Sequence, residues 1–86
     1  MIIYFHRTFR KKYSKLKIKQ KNIAEKRLSI FKKDEFNFIL NNHSLLGKYR
    51  NYRSINISGN IRAIYKKIDE DSIIFTEIGT HSELYK

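Results

Sequence analysis

Eight residues in the second half of the chain are of types suited to phosphate chemistry: His43, Arg50, Arg53, Asn56, Asn60, Arg62, His81 and Tyr85. Imidazoles, guanidinium groups and a phenol, with no cysteine anywhere, make a poor set for a metal and a good one for phosphate. Divalent ions take carboxylates or several histidines, and the one acidic run, Asp69-Glu70-Asp71, lies in a turn without a metal-loop pattern. No metal and no cofactor are expected. Metal-free cleavage of RNA needs a group that takes the proton of a ribose 2′-OH and another that protonates the leaving 5′ oxygen. It also needs cations that hold the charge gathering on the phosphorus oxygens. A free imidazole titrates at about 6.5, and arginine stays charged with a fork that matches phosphate. Each residue also has a plain structural reading: His43 as a turn residue, Arg53 and Arg62 as exposed cross-strand residues, Tyr85 as a hydrophobic pin for the C-terminal segment. Tyr49 and Tyr52 are core or rim aromatics on the same footing. Residue types alone leave these alternatives open and point to a small basic domain that binds nucleic acid.

These residues need a scaffold, and the hydrophobic pattern supplies one. Ile2 to Phe5 is a short β-branched and aromatic run of strand type, ended by His6-Arg7, with His6 read as structural or solvent-facing. From Thr8 the spacing changes: Phe9, Tyr13 and Leu16 predict a helix over about 8–18 with Thr8 as its cap, and Ile23, Ala24, Leu28 and Phe31 predict a second over about 20–32. Asp34-Glu35 reads as a fresh N-terminus for a short helical turn through Leu40, broken by Asn41-Asn42-His43. Strands follow at 53–58, with Ile55 and Ile57 on one face, and at 61–68, joined by a Gly59-Asn60 two-residue turn. The segment 72–78 is apolar on both faces and so belongs inside the sheet. The expected architecture is α+β: a small antiparallel sheet of about four strands with two N-terminal helices packed on one face.

At 86 residues the chain is read as one domain, residues 1–86. Its formal charge of +11 is unevenly spread: residues 1–33 hold twelve basic side chains against one acid, Glu25, whereas residues 34–86 hold seven of each. An A/T-rich codon bias would raise lysine throughout, yet it does not explain that division. A basic surface without balancing acids suits a polyanion. The hydrophobic share of 41% and aromatic share of 14% exclude a disordered basic tail. No apolar run is long enough to span a membrane, no signal-peptide core follows Met1, and the missing cysteines suit a reducing compartment, so a cytoplasmic location is expected.

Four short motifs occur in order: His43-Ser44-Leu45-Leu46-Gly47, Tyr52-Arg53-Ser54, Gly59-Asn60-Ile61-Arg62-Ala63-Ile64-Tyr65, and Ile78-Gly79-Thr80-His81-Ser82-Glu83-Leu84-Tyr85. With the opening strand and two basic helices they strongly resemble the RelE/ParE toxin superfamily, above all its YafQ-like branch of type II toxin–antitoxin ribonucleases. The resemblance implies a toxin that enters the ribosomal A site and cuts mRNA without metal, by attack of a ribose 2′-OH on the adjacent phosphate. Carried over by position, it implies that His43 and His81 act as acid and base, that Arg62 steadies the scissile phosphate and that Tyr85 orients the substrate. Arg53 and Arg50, with Lys11, Lys12 and Lys15 on the first helix, are the expected RNA- and phosphate-binding residues. Three positions depart from the pattern. Asn60 stands where that branch commonly has Asp, Asn56 where some relatives have His, and Glu77, which brings negative charge towards the phosphate, where a relative has Arg. The resemblance also implies a cognate antitoxin, acidic where it binds, in a two-toxin, two-antitoxin assembly, and ribosomal RNA and mRNA as further partners. The rival reading on the same fold is a ParE-like gyrase poison or a degenerate module that only binds RNA or antitoxin.

Overall fold

The computed structural model describes residues 1–85. Strand β1 (Ile2–Phe5) leads through His6 into helix α1 (Arg7–Ser14). The His6 backbone stays extended and its Nδ1 accepts a 3.0 Å hydrogen bond from the Thr8 amide, so His6, not Thr8, caps the helix. The helix also stops short of residue 18. Ser14 Oγ donates back to the Lys11 carbonyl at 2.7 Å, and the Lys15 and Leu16 amides close a tightened last turn on Lys12 and Tyr13. Helix α2 (Ile18–Lys33) starts where Gln20 Oε1 accepts from the Lys17 amide, and carries Lys32 and Lys33 in its last turn, where cations suit the helix dipole.

The next stretch corrects the expectation of a helical turn beginning at Asp34-Glu35. Asp34 is the C-cap of α2, and helical geometry there is confined to a 3₁₀ turn, Phe38–Leu40, capped by Asn37 and closed by Asn41 in the left-handed region at φ 46°. Strands β2 (His43–Ser44), β3 (Tyr52–Asn56), β4 (Ile61–Asp69) and β5 (Ser72–Thr80) follow, and helix α3 (His81–Leu84) closes the chain. The sheet order is β1-β5-β4-β3-β2. It has five strands, not about four, and it is mixed: β2 to β5 are antiparallel, but β1 runs parallel to β5, from Ile2 opposite Ser72 to Phe5 opposite Phe75. That parallel pair is possible because α1 and α2 carry the chain across one face before it returns. Two residues are too few to show a period, which is why β2 left no signal. The β3–β4 loop is longer than two residues, since the Ile57 and Ser58 amides both donate to the Ile61 carbonyl, at 2.9 and 3.2 Å.

Strand β5 contains one extra residue. Ile64 pairs with Glu77 and Tyr65 with Phe75, so Thr76 has no register partner on β4, although its Oγ1 donates to the Ile64 carbonyl at 3.5 Å. Such a bulge changes the phase of side-chain alternation. Ile73 and Phe75 before it, and Ile78 after it, all reach the same core, together with Ile55, Ala63 and Tyr65 of the neighbouring strands and Phe9, Ala24 and Phe31 of the helices. Phe75 is the hub, with ring centroids 5.1 Å from Phe31, 5.2 Å from Tyr65, 5.7 Å from Phe9 and 5.9 Å from Phe5. No helix among the described residues is long and apolar enough to cross a membrane.

Because Phe75 is fully buried and meets rings from β1, α1, α2 and β4, Phe75→Ala is expected to cost about 3–5 kcal/mol in urea unfolding. A loss under about 1 kcal/mol would show that the core is not organised around it.

Candidate active site

Helices α1 and α2 cover one face of the sheet, and the candidate chemistry sits on the other. Opposed residues on neighbouring strands share a face, so Ser54 and Asn56 of β3 lie with Ile64 and Arg62 of β4, and His43 of β2 lies beside Ser54. On this open face His43, Arg62, His81 and Tyr85, with Asn41 and Leu45, line a single cleft of about 400 Å³.

Each of the four is held differently. Asn41, in its left-handed conformation, turns its carbonyl oxygen onto His43 Nδ1 at 2.8 Å. A carbonyl only accepts, so the proton sits on Nδ1, and in the neutral ring the free lone pair is on Nε2. Arg62 lies opposite Gly79 on one side and Asn56 on the other. Its Nη1 donates to the carbonyls of Ser58 (3.0 Å), Gly59 (3.3 Å) and Ile61 (3.4 Å), which ties the guanidinium to the hairpin loop. Its Nε and Nη2 have no protein partner among the described residues and remain available to an anion.

His81 and Tyr85 are placed by α3. Thr80 Oγ1 accepts from the Glu83 amide at 3.2 Å while Glu83 Oε1 accepts from the Thr80 amide at 2.7 Å, a reciprocal cap. A Cβ at Gly79 would come within 3.1 Å of Glu83 Oε1, so a larger residue here would press on the carboxylate that caps this helix. One turn of helix brings the His81 and Tyr85 rings to 4.6 Å. Tyr85 also meets Tyr49 edge-on at 6.1 Å, and its hydroxyl is buried without a partner among the described residues, as are Ser54 Oγ and Asn56 Oδ1 on the same face. Burial foremost, then the nearby Glu77 carboxylate, pushes the Tyr49 phenol above its ordinary value.

The other expected residues are not brought into the cleft. Arg53 pairs with Tyr65 in register, on the helix side of the sheet, and its Nε donates to Asn42 Oδ1 at 2.7 Å. Arg50 is exposed at the corner before β3, Asn60 is exposed in the hairpin loop, and Asn56 lies beside Arg62 without lining the cleft. Lys11, Lys12 and Lys15 line a separate basic groove on α1 with Arg7 and Arg10. Lys12 also forms an ion pair with Glu77, so the carboxylate expected to oppose phosphate is neutralised locally. Residue types did not single out Asn41 or Asn42. The Thr80-x-x-Glu83 spacing, by contrast, is a capping-box signal that points to α3.

Among the described residues no three His, Asp or Glu side chains converge as a metal site would require. No curated protein matches the chain in sequence. Among solved structures, YafQ from E. coli strain BL21(DE3) superposes with a TM-score of 0.82 at 18% identity, covering 98% of this chain and 97% of that one. The E. coli DinJ-YafQ toxin–antitoxin complex gives 0.78 at 19% identity, covering 98% and 96%. A YoeB/ParE toxin from Agrobacterium tumefaciens gives 0.77 at 14% identity, covering 94% and 99%. At these identities the likeness is one of fold. The family model described as the bacterial toxin of type II toxin–antitoxin systems, YafQ, matches residues 1–86 from end to end, so the chain belongs to the YafQ toxin family.

Proposed function

We propose that the protein is a ribosome-dependent, metal-independent mRNA endoribonuclease that cuts in the ribosomal A site. The observation that carries this reading is the convergence of His43, with its free Nε2, with Arg62, His81 and Tyr85 in one open cleft. In the proposed step His43 Nε2 takes the proton of a ribose 2′-OH, and the 2′ oxygen forms a bond to the adjacent phosphorus. The free N–H groups of Arg62 hold the charge that builds on the non-bridging oxygens. As the bond from phosphorus to the 5′ oxygen breaks, protonated His81 delivers a proton to that oxygen, leaving a 2′,3′-cyclic phosphate and a 5′-OH. The Tyr85 ring stacks on a base.

Dependence on the ribosome is supported by the division of charge. The α1 groove supplies a grip on phosphates that is blind to sequence, and the cleft, open and lined by few groups, has little with which to hold an RNA by itself. Ribosomal RNA is the partner that would meet the groove and present the message to the cleft. A cognate antitoxin, acidic where it binds, would cover the basic groove and the cleft in a two-toxin, two-antitoxin assembly; that the E. coli protein of this fold occurs in a DinJ-YafQ toxin–antitoxin complex supports the partner. With these partners the protein would act in the cytoplasm. The rival, a gyrase poison or a binder without nuclease activity, has no use for two imidazoles beside an arginine.

Translating ribosomes treated with wild-type protein are expected to yield A-site cuts ending in 2′,3′-cyclic phosphate, with His81→Ala reduced roughly 100-fold or more. Intact mRNA with wild type, or growth arrest with DNA damage instead, overturns the nuclease reading in favour of its rival. Because the Tyr85 hydroxyl has no partner among the described residues, Tyr85→Phe should retain cleavage within about threefold, whereas Tyr85→Ala should lose roughly 10-fold or more. Equal losses in both variants would give the hydroxyl a role of its own. Replacing Lys11 and Lys15 with Gln should lower the slope of log affinity for ribosomes against log salt by about 1.5, and an unchanged slope would remove the groove from the docking surface.

A further inference from the structure

The residue just before His43 is held from the far side of the sheet. Asn42 uses its whole side-chain amide: Nδ2 donates to the Glu35 carbonyl at 3.0 Å and to the Tyr65 hydroxyl at 2.7 Å, and Oδ1 accepts from Arg53 Nε at 2.7 Å. The Tyr65 hydroxyl in turn donates to Glu35 Oε2 at 2.6 Å, so its one proton and an acceptor position are both committed. The Arg53 guanidinium lies over the Phe36 ring at 5.2 Å. Tyr65 is almost fully buried, and burial together with its bond to Glu35 raises its phenol above the ordinary value, which keeps it a donor.

Strand β2 has little else to hold it. It is two residues long, both exposed, at the edge of the sheet. Its ladder to β3 consists of the His43–Ser54 and Ser44–Arg53 pairs, extended by the Leu45 amide donating to the Tyr52 carbonyl. Burial therefore contributes almost nothing to fixing His43, whereas the amide next to it makes bonds to three residues of the packed face. The carbonyl that sets the His43 tautomer belongs to Asn41, the neighbour on the other side of Asn42.

We propose that Asn42, Arg53 and Tyr65 are positioning residues that hold the Asn41–His43 segment and so keep the His43 proton on Nδ1 and its Nε2 facing the cleft. Arg53 then acts through His43 and does not touch phosphate. This rests on the reading of His43 as the group that takes the 2′-OH proton, and it adds how that group is prepared.

The test uses protein labelled with ¹⁵N in its imidazoles, observed at a pH of about 8, above the ordinary imidazole value of about 6.5. His6 is the internal reference, because its Nδ1 accepts from the Thr8 amide and its proton must sit on Nε2. Wild type is expected to show His43 protonated at Nδ1 and His6 at Nε2. Tyr65→Phe, which keeps the buried ring, and Asn42→Leu should move His43 towards a mixture of tautomers while His6 stays unchanged. Both should also lower the single-turnover rate on ribosomes roughly 10- to 100-fold, with KM within about twofold. Arg53→Lys, able to reach Asn42 Oδ1 from its own ammonium, should restore most of what Arg53→Ala loses. A His43 tautomer and rate unchanged in Tyr65→Phe and Asn42→Leu overturn the proposal. So does an Arg53→Ala variant whose defect lies in KM and whose His43 signal is that of wild type. If His43→Ala cleaves as wild type while the tautomer still responds to Tyr65→Phe, the positioning stands and the catalytic reading of His43 falls.

Discussion

One extra residue in β5 decides which way the rest of the molecule faces. Thr76 is left without a register partner, and the change of phase it introduces puts Ile73, Phe75 and Ile78 all on the helix side. Without it Ile78 would turn to the open face and Gly79 to the core, where a missing side chain would leave a void. With it Gly79 stands opposite Arg62, clears room for α3, and lets the Thr80–Glu83 cap deliver His81 and Tyr85 to the cleft. The aromatic hub at Phe75 and the cleft on the reverse side therefore depend on the same irregularity.

The two faces use charge differently. On α1 the cations are many and exposed, and their joint field attracts a polyanion without selecting an atom. On the open face Arg62 is tied to loop carbonyls and Glu77 is paired with Lys12. Exposed pairs such as Lys12 and Glu77 contribute about 0–1 kcal/mol, far less than burial of one aromatic ring, so that pair bears on local potential and hardly on stability.

Much of this was legible in the residues. The second helix, the pairing of β3 with β4 and the inward face of Ile55 and Ile57 all follow from the hydrophobic period, although the loop between those strands is longer than Gly59-Asn60 alone suggests. Arg53 has the same parity as Ile55 and Ile57, so simple alternation already turned it towards the helices, whereas position in a motif pointed to phosphate. The bulge at Thr76 was not legible, because 72–78 is apolar on both faces and a phase change leaves no trace where there is no alternation. Neither was β2, since two residues have no period. The two elements that matter most to the candidate site, β2 and α3, are short: β2 stays in place through hydrogen bonds to its surroundings, α3 through its reciprocal cap and the buried Leu84.

The sheet thus divides the molecule into a side that positions and a side that reacts, and the link between them runs through Arg53, Asn42 and His43. A double-mutant cycle on ribosome-stimulated cleavage measures that link directly, comparing Arg53→Ala in the wild-type background with Arg53→Ala in His43→Ala. If Arg53 works through His43, the second substitution adds less than about twofold to the loss caused by His43→Ala. Losses that multiply across the two sites would mean that Arg53 contacts the substrate itself, and would contradict a sheet with one reacting face.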